Sequence, residues 1–487
     1  MTTTINTKLG TNKNTVPRIW IEGYKLLREG IHPCMKYVMR HDREIDSFVV
    51  TVHADGVPIN TSHHVKQGSV SRRKVRGTDD TYLPLLEIAT QEFRDVFANN
   101  PIRVVITGTR ITISIARVAK DLLERLTRFR SRISNGEPMR VMSQFHGGGV
   151  MDLAAHYGMA KHKIASYVRM AFELDGRYLD SSLQNNPELW RDDSLIFEGS
   201  IENFNPAGAN VPKCELLIVG LPCTAISLAG RAKTPMINAE DHQDVGHMLF
   251  YFLNGALASN PAMILIENVP QMRTSPTMSI IRNTLRSRGY VLSERILNGN
   301  DFGALECRDR FFCVAVSEGM PEPNLAFVAG ERAMPASLAE VLEDLGEEHF
   351  LDVGYLLKKE ERDKKKGSHF EAVLVGPEVT SVPTICKGYS KVRSGEPYLL
   401  HPDRSLVGFA RKFSAVEHAR IKTIPTDIVR GRSQTVAHEI MGQSVIFEVV
   451  RCLMGHLAKQ WRIWIDWGLD GIVRPCDYLK ADESLAA

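Results

Sequence analysis

Beyond Pro138 the chain repeats one pattern: a short, mainly apolar run, then an amphipathic stretch, then another run. The runs are Arg140–Gln144, Ser166–Phe172, Leu216–Val219, Met263–Ile266 and Arg310–Val316, with helical stretches such as His242–Leu257 and Ser279–Arg288 between them. A strand without a polar face must be covered on both sides. Alternation with helices therefore predicts a mostly parallel α/β sheet. Such sheets bind ligands beyond the carboxyl ends of their strands, so the residue just after each run matters most.

The flanking sequence has other textures. Residues 1–16 are polar and read as a flexible leader. Short β-like pieces follow at Arg18–Glu22, Ser47–Val52, Ile102–Thr107 and Arg110–Ser114, with Gly108 in the turn between the last two. Thr61–Asp80, with Arg72, Arg73, Lys74 and Arg76, reads as a loop, and Ala116–Arg130 as an amphipathic helix. The Ser134–Pro138 linker then places a domain boundary. The expected domains are a basic N-terminal extension (1–138), a core (139–318), an irregular insert (319–410), and closing helices with a C-terminal tail (411–487). In that tail Trp461, Trp464 and Trp467 are expected to pack a terminal element.

Residues 1–138 hold 22 Lys and Arg against 14 Asp and Glu, whereas the remainder holds 38 against 43. A basic front suits a polyanion; a solvated basic surface is the alternative. Eight cysteines form no Cys-x-x-Cys pair, which argues against a zinc ribbon or disulfide scaffold and for a reducing compartment. No metal site is expected. No apolar run reaches eighteen residues and the N-terminus lacks a signal-peptide pattern, so a cytoplasmic protein without a membrane partner is expected.

The strand ends carry the chemistry. The first run leads into Phe145-His146-Gly147-Gly148-Gly149, a turn that lets backbone approach a ligand. The second ends at Glu173, 24 residues beyond Gly149, where an acid can accept hydrogen bonds from a ribose. The third runs into Pro222-Cys223, placing a thiol on a constrained loop where thiolate is the reactive form. A small buried cysteine is the alternative. The fourth ends in Glu267-Asn268-Val269-Pro270; a desolvated Glu there has a raised pKa and can donate a proton. Arg308 and Arg310 precede the last run, and strand alternation places both on one face, suited to an anion or a polar base edge.

In this order, Phe145-x-Gly147-x-Gly149, Pro222-Cys223, Glu267-Asn268-Val269 and Arg308-x-Arg310 resemble the motifs of DNA cytosine-5 methyltransferases. Arg411-Lys412-Phe413-Ser414-Ala415-Val416-Glu417-His418-Ala419-Arg420-Ile421 and Gly442-Gln443-Ser444-Val445 resemble that family's closing motifs, and the match spans about Arg140 to Met454. Departures are Thr224 and Ile226 after Pro-Cys, Glu306 for a glutamine before Arg-x-Arg, Gln443 for an asparagine, and Ser200 where an acid often meets the adenine. The resemblance implies an S-adenosylmethionine-dependent, Rossmann-like α/β methyltransferase with an inserted target-recognition domain and an N-terminal β-rich extension.

It further implies Cys223, Glu267, Arg308 and Arg310 as catalytic residues. Phe145, Gly147, Gly149, Glu173, Ser200, Pro222 and Gln443 are implied around S-adenosylmethionine. The implied partner is double-stranded DNA, with a cognate restriction endonuclease in a restriction–modification setting, and a bacterial or phage enzyme acting as a monomer. In the insert, Lys358, Lys359, Arg362, Lys364, Lys365 and Lys366 are expected to meet phosphates; a surface loop is the alternative. Two other readings are a tRNA cytosine-5 methyltransferase of the same fold and a catalytically silent nucleic-acid-binding regulator.

Overall fold

The computed structural model describes residues 2–44, 46–53, 66–75, 77, 81–206, 209–222, 247–367, 371–391, 395–403 and 405–468. The chain forms two compact units, Met1–Glu124 and Arg125–Ala487.

The first unit is built from two antiparallel sheets. Its six-stranded sheet runs in the order Thr2–Thr7, Ile102–Thr107, Arg110–Ile115, Ser47–His53, Lys36–Asp42, Lys66–Ser69. Alternation buries Ile102, Val104 and Ile106 on one strand and Ile111 and Ile113 on its neighbour, against Phe48, Phe93 and Phe97. Two corrections follow. The expected flexible leader contains a strand, Thr2–Thr7, paired residue by residue with Thr107–Ile102. The expected loop contains Lys66–Ser69 and Ser71–Lys74, the latter pairing with Tyr82–Leu85. Both segments lie at sheet edges, where backbone pairing forms without an apolar face to announce it.

Labels are given to the second unit. Its strands are β1 (Met139–Gln144), β2 (Ser166–Glu173), β3 (Leu195–Glu198), β4 (Leu216–Gly220), β5 (Met263–Asn268), β6 (Tyr290–Asn298) and β7 (Asp309–Ser317). Its helices are α1 (Arg117–Ser134, entered from the first unit), α2 (Val150–Ala160), α3 (Gly176–Asn185), α4 (Met248–Ser259), α5 (Pro276–Ser287), α6 (Gly354–Lys365), α7 (Ala415–Ile421), α8 (Gln434–Gln443) and α9 (Phe447–Asp466). The sheet order is β3-β2-β1-β4-β5-β7-β6, parallel from β3 to β5, with β7 antiparallel to both neighbours. Every expected apolar run is a strand. Neighbouring residues feed opposite cores: Leu216 and Ile218 pack on one face with Met263 and Leu265, while Leu217 and Val219 pack on the other with Ile264 and Ile266.

The division between units falls inside α1, whereas the sequence places it at the following linker. The reason is chemical. Arg125 is buried, donates to Ser317 Oγ (2.8 Å) and Gly289 O (2.6 Å), and lies over the Tyr290 ring. Arg128 and Arg140 both bind the fully buried Glu215 carboxylate, at 2.9 and 2.8 Å, and Arg132 lies 3.3 Å from it. Phe129 and Ile133 join the core beneath β1. The C-terminal half of α1 thus belongs to the second unit.

Residues 319–410 carry short pairings and α6, with a four-stranded sheet in the order Leu351–Asp352, Phe409–Arg411, Tyr398–Leu400, Leu374–Val375. The Lys- and Arg-rich run, one expected alternative for which was a loop, lies mainly on helix α6. Trp461 and Trp464 are buried on α9, whereas Trp467 is half exposed. Among the described residues no single helix is long and apolar enough to cross a membrane.

Candidate active site

The glycine turn after β1 adopts backbone angles that side chains resist. Phe145, Gly147 and Gly149 have φ of 60°, 60° and 76°. A Cβ on Gly149 would lie 2.5 Å from Ser182 Oγ, and one on Gly148 would lie 2.5 Å from Ile440 Cγ2 of α8. At Gly147 the space is open: a Cβ would meet only Gln443 Nε2, at 3.6 Å. The turn leaves a cradle on that side, bounded by Gln443 at the end of α8.

Side-chain hydrogen bonds hold this turn from beneath. His146 Nδ1 lies 3.0 Å from Asp152 Oδ2, and its Nε2 lies 2.8 Å from Ser182 Oγ. Ser143 Oγ donates to the same Asp152 oxygen, and Asn186 Nδ2 donates to Gly148 O at 3.1 Å. The sequence reading passed over these residues; a histidine inside a glycine run was the available signal. Glu173, ending β2, accepts the Gly147 N–H at 2.6 Å and the Asp175 N–H at 3.0 Å. Its carboxylate therefore touches the glycine turn. Ser200 begins a short 3₁₀ turn whose Glu202 N–H it accepts; no contact with the glycine turn is among its bonds.

The other half of the rim is ionic. Gly220 of β4 pairs in register with Glu267 of β5. Asn268 Nδ2 donates to Leu221 O at 3.2 Å, which ties the segment leaving β4 to the end of β5. Pro222 closes the described part of that segment; Cys223, with Thr224 and Ile226, lies outside the described residues. Glu267 Oε1 lies 3.0 Å from Arg310 Nε. Burial pushes the Glu267 carboxyl above the usual range, while Arg310, Arg308 and Lys422 oppose that rise.

Arg308 lies just before β7, is buried, and donates to Glu306 Oε1 at 3.3 Å and to Gly442 O at 3.2 Å. Its Nε has no hydrogen-bond partner among the described residues. Farther back, Arg411 grips Glu417 through two 2.7 Å bonds, and Glu417 forms a capping box with Ser414 that starts α7. Among the described residues no group of three or more His, Cys, Asp or Glu could hold a metal ion.

Residues 139–459 match the family model described as C-5 cytosine-specific DNA methylase. Among curated proteins, the chain is 25% identical to the type II methyltransferase M.NgoBI of Neisseria gonorrhoeae, covering 56% of this chain and 84% of that protein. It is 24% identical to M.HaeII of Haemophilus aegyptius, covering 54% and 78%. Among solved structures it resembles the Dnmt2 methyltransferase of S. pombe (TM-score 0.51, 20% identity, 66% of this chain and 98% of that one). It also resembles the Entamoeba histolytica methyltransferase EhMeth (TM-score 0.53, 17% identity, 66% and 98%).

Proposed function

The chain belongs to the C-5 cytosine-specific DNA methylase family, and from that premise we propose which residues carry methyl transfer from S-adenosylmethionine to C5 of cytosine in DNA. The observation that supports the assignment best is the pairing of Gly220 with Glu267, reinforced by the Asn268 tie to Leu221. It brings the strand that leads to Pro222-Cys223 beside the carboxyl group proposed to act with that thiol.

Cys223 acts as the nucleophile. Its thiolate adds to C6, and the displaced ring electrons make C5 nucleophilic. Glu267, its carboxyl pushed above the usual range by burial, donates to N3 as charge develops there, and Arg308 faces the O2 side. Arg310 restrains the Glu267 carboxyl from the β7 side. C5 takes the methyl group, a base removes the C5 proton, and the C5–H electrons re-form the C5=C6 bond, expelling Cys223 as its thiolate with the S–C6 pair. The target base must leave the duplex to reach this rim.

When bound, S-adenosylmethionine supplies an electrophilic methyl group on a sulfonium sulfur. The open side of Gly147, which a Cβ would fill, fits such a group. Phe145, Gly147, Gly149 and Gln443 shape the cradle and Pro222 borders it. Glu173 accepts from the ribose, while Ser200 lies toward the adenine.

Residues 319–410 read the sequence around the target. On α6, Lys358, Arg362, Lys364 and Lys365 are exposed, as is Lys366 just beyond it; Lys359 and Arg362 each lie 3.8 Å from Asp363, and Lys364 pairs with Glu360. The exposed cations meet phosphates. Double-stranded DNA is the substrate, a cognate restriction endonuclease is the companion activity, and the chain acts as a cytoplasmic monomer of a bacterium or phage.

The test uses labelled S-adenosylmethionine with duplex DNA and, separately, tRNA. Label should enter DNA. With 5-fluorocytosine DNA the wild type should form an adduct that survives denaturation, and Cys223→Ser should form none while still binding cofactor. An adduct in Cys223→Ser would place the nucleophile on another cysteine.

A further inference from the structure

Behind Arg308 lies a charged cluster that the proposed reaction does not use. Glu306 and Lys422 are both fully buried, and Lys422 Nζ lies 3.6 Å from Glu306 Oε2. Glu306 Oε1 accepts from Arg308 and from the Ile385 N–H (3.1 Å) of the insert. Lys422, at the end of α7, donates to Met441 O at 2.5 Å and Ser444 O at 2.9 Å, so it grips both sides of the Gly442–Gln443 turn. That turn supplies the carbonyl bound by Arg308 and the Gln443 side chain that faces Gly147.

We propose that Glu306 and Lys422 form a buried positioning pair that sets Arg308 and locks the Met441–Ser444 turn, so that one element holds both halves of the site. The proposal rests on the role assigned above to Arg308. Three structural regions converge on the pair: the segment before β7, the insert through Ile385, and the α7–α8–α9 closing hairpin. Each ion is needed because of the other. Without Lys422, two carbonyls lose their donor; without Glu306, two buried cations face each other with no anion between them, which is costly in a low-dielectric interior. Burial and the neighbouring Arg308 push the Lys422 ammonium down to about 7, in keeping with a site that strains to hold a charge. Arg310, Glu267 and His418 also face this cluster electrostatically.

The pair makes a double-mutant cycle in the full-length enzyme decisive. Glu306→Gln and Lys422→Met, each measured per folded, cofactor-titrated site on duplex DNA, should lower kcat by about 10- to 100-fold, as a misplaced group near the chemistry does. The combined variant, which leaves Arg308 as one buried cation without its carboxylate where Glu306→Gln leaves two, should lose less than the product of the two by about fivefold or more. A merely structural role would lower Tm and leave kcat per folded site unchanged.

Single variants within about twofold of wild type, or losses that simply multiply in the double variant, would overturn the pair. Should a single variant be insoluble, a soluble and active double variant supports the coupling, and an insoluble double variant sinks it. Arg308→Ala in the same assay separates the two claims: wild-type turnover there removes the role of Arg308 itself, whatever the cycle shows.

Discussion

The two halves of the rim are built from different materials. On the β1–β2 side the working parts are backbone: glycines at positive φ, supported by His146, Asp152, Ser143 and Asn186 through bonds that set a chain path. On the β4–β5–β7 side the working parts are ionic side chains, Glu267 beside Arg310, and Glu306 between Arg308 and Lys422. On the proposed assignment the first half leaves room for a large ligand and should be damaged by added atoms, whereas the second presents protons and charge to a small ring and should be damaged by removed charge.

The sharpest test of this contrast is Glu267→Gln. It should cut kcat by about 10²- to 10⁴-fold, the scale of a lost general acid, with cofactor affinity nearly unchanged by calorimetry. The pH profile adds a sign. Burial raises the Glu267 pKa, so the proton is held to higher pH than on an ordinary glutamate and turnover should fall as pH rises through that value. Arg310 opposes the rise, so Arg310→Gln should move this falling limb to higher pH. A limb moving to lower pH would break the assignment of Glu267 as the acid.

Gly147→Val attacks the other half. It should weaken cofactor binding by about 10-fold or more, through a branched side chain at positive φ in the open cradle. Its kcat at saturating cofactor should suffer much less than that of Glu267→Gln. The reverse pattern would remove the glycine turn from the cofactor site.

These tests concern residues whose legibility differed sharply. The β1, β4 and β5 strands were readable because strands buried on both faces are apolar at successive positions, and Glu267 was readable because it ends one of them. β3 was missed: it is an edge strand with Leu195 and Ile196 exposed. β6 was missed because it pairs on one side alone and carries Ser293, Glu294 and Arg295 among its apolar residues. Lys422 was illegible for another reason. At the end of an amphipathic helix it reads as a solvated cation, and its burial arises from Glu306, distant in sequence. Arg308, expected with Arg310 on one face by strand alternation, sits just before β7 and donates to Gly442, while both arginines act on the Glu267 carboxyl.

Two smaller effects sharpen the account. A fragment starting at Ala116 should melt several degrees above one starting at residue 139. The shorter one lacks Arg125, Arg128 and Arg132 and leaves the buried Glu215 carboxylate with Arg140 as its remaining arginine. Equal melting temperatures would show that α1 adds nothing to the second unit. Removing the N-terminal unit should flatten the salt dependence of DNA binding by about 0.9 per lost phosphate contact, with the methylated sequence unchanged. An unchanged slope would mean that this unit binds something other than DNA.

Helix α9 packs so closely on α2 that a Cβ on Gly158 would lie 2.3 Å from the Arg451 carbonyl, and α8 places Ile440 against Gly148. The helix that follows the glycine turn is therefore completed by chain synthesised about 300 residues later. At about 5–20 residues per second on the ribosome, that interval lasts from some fifteen seconds to a minute. Until residues 434–466 have emerged, a nascent chain has its strands but no finished cradle. A product terminated before α8 and α9 is expected to lack the packing that finishes the glycine turn, and so to transfer no methyl group.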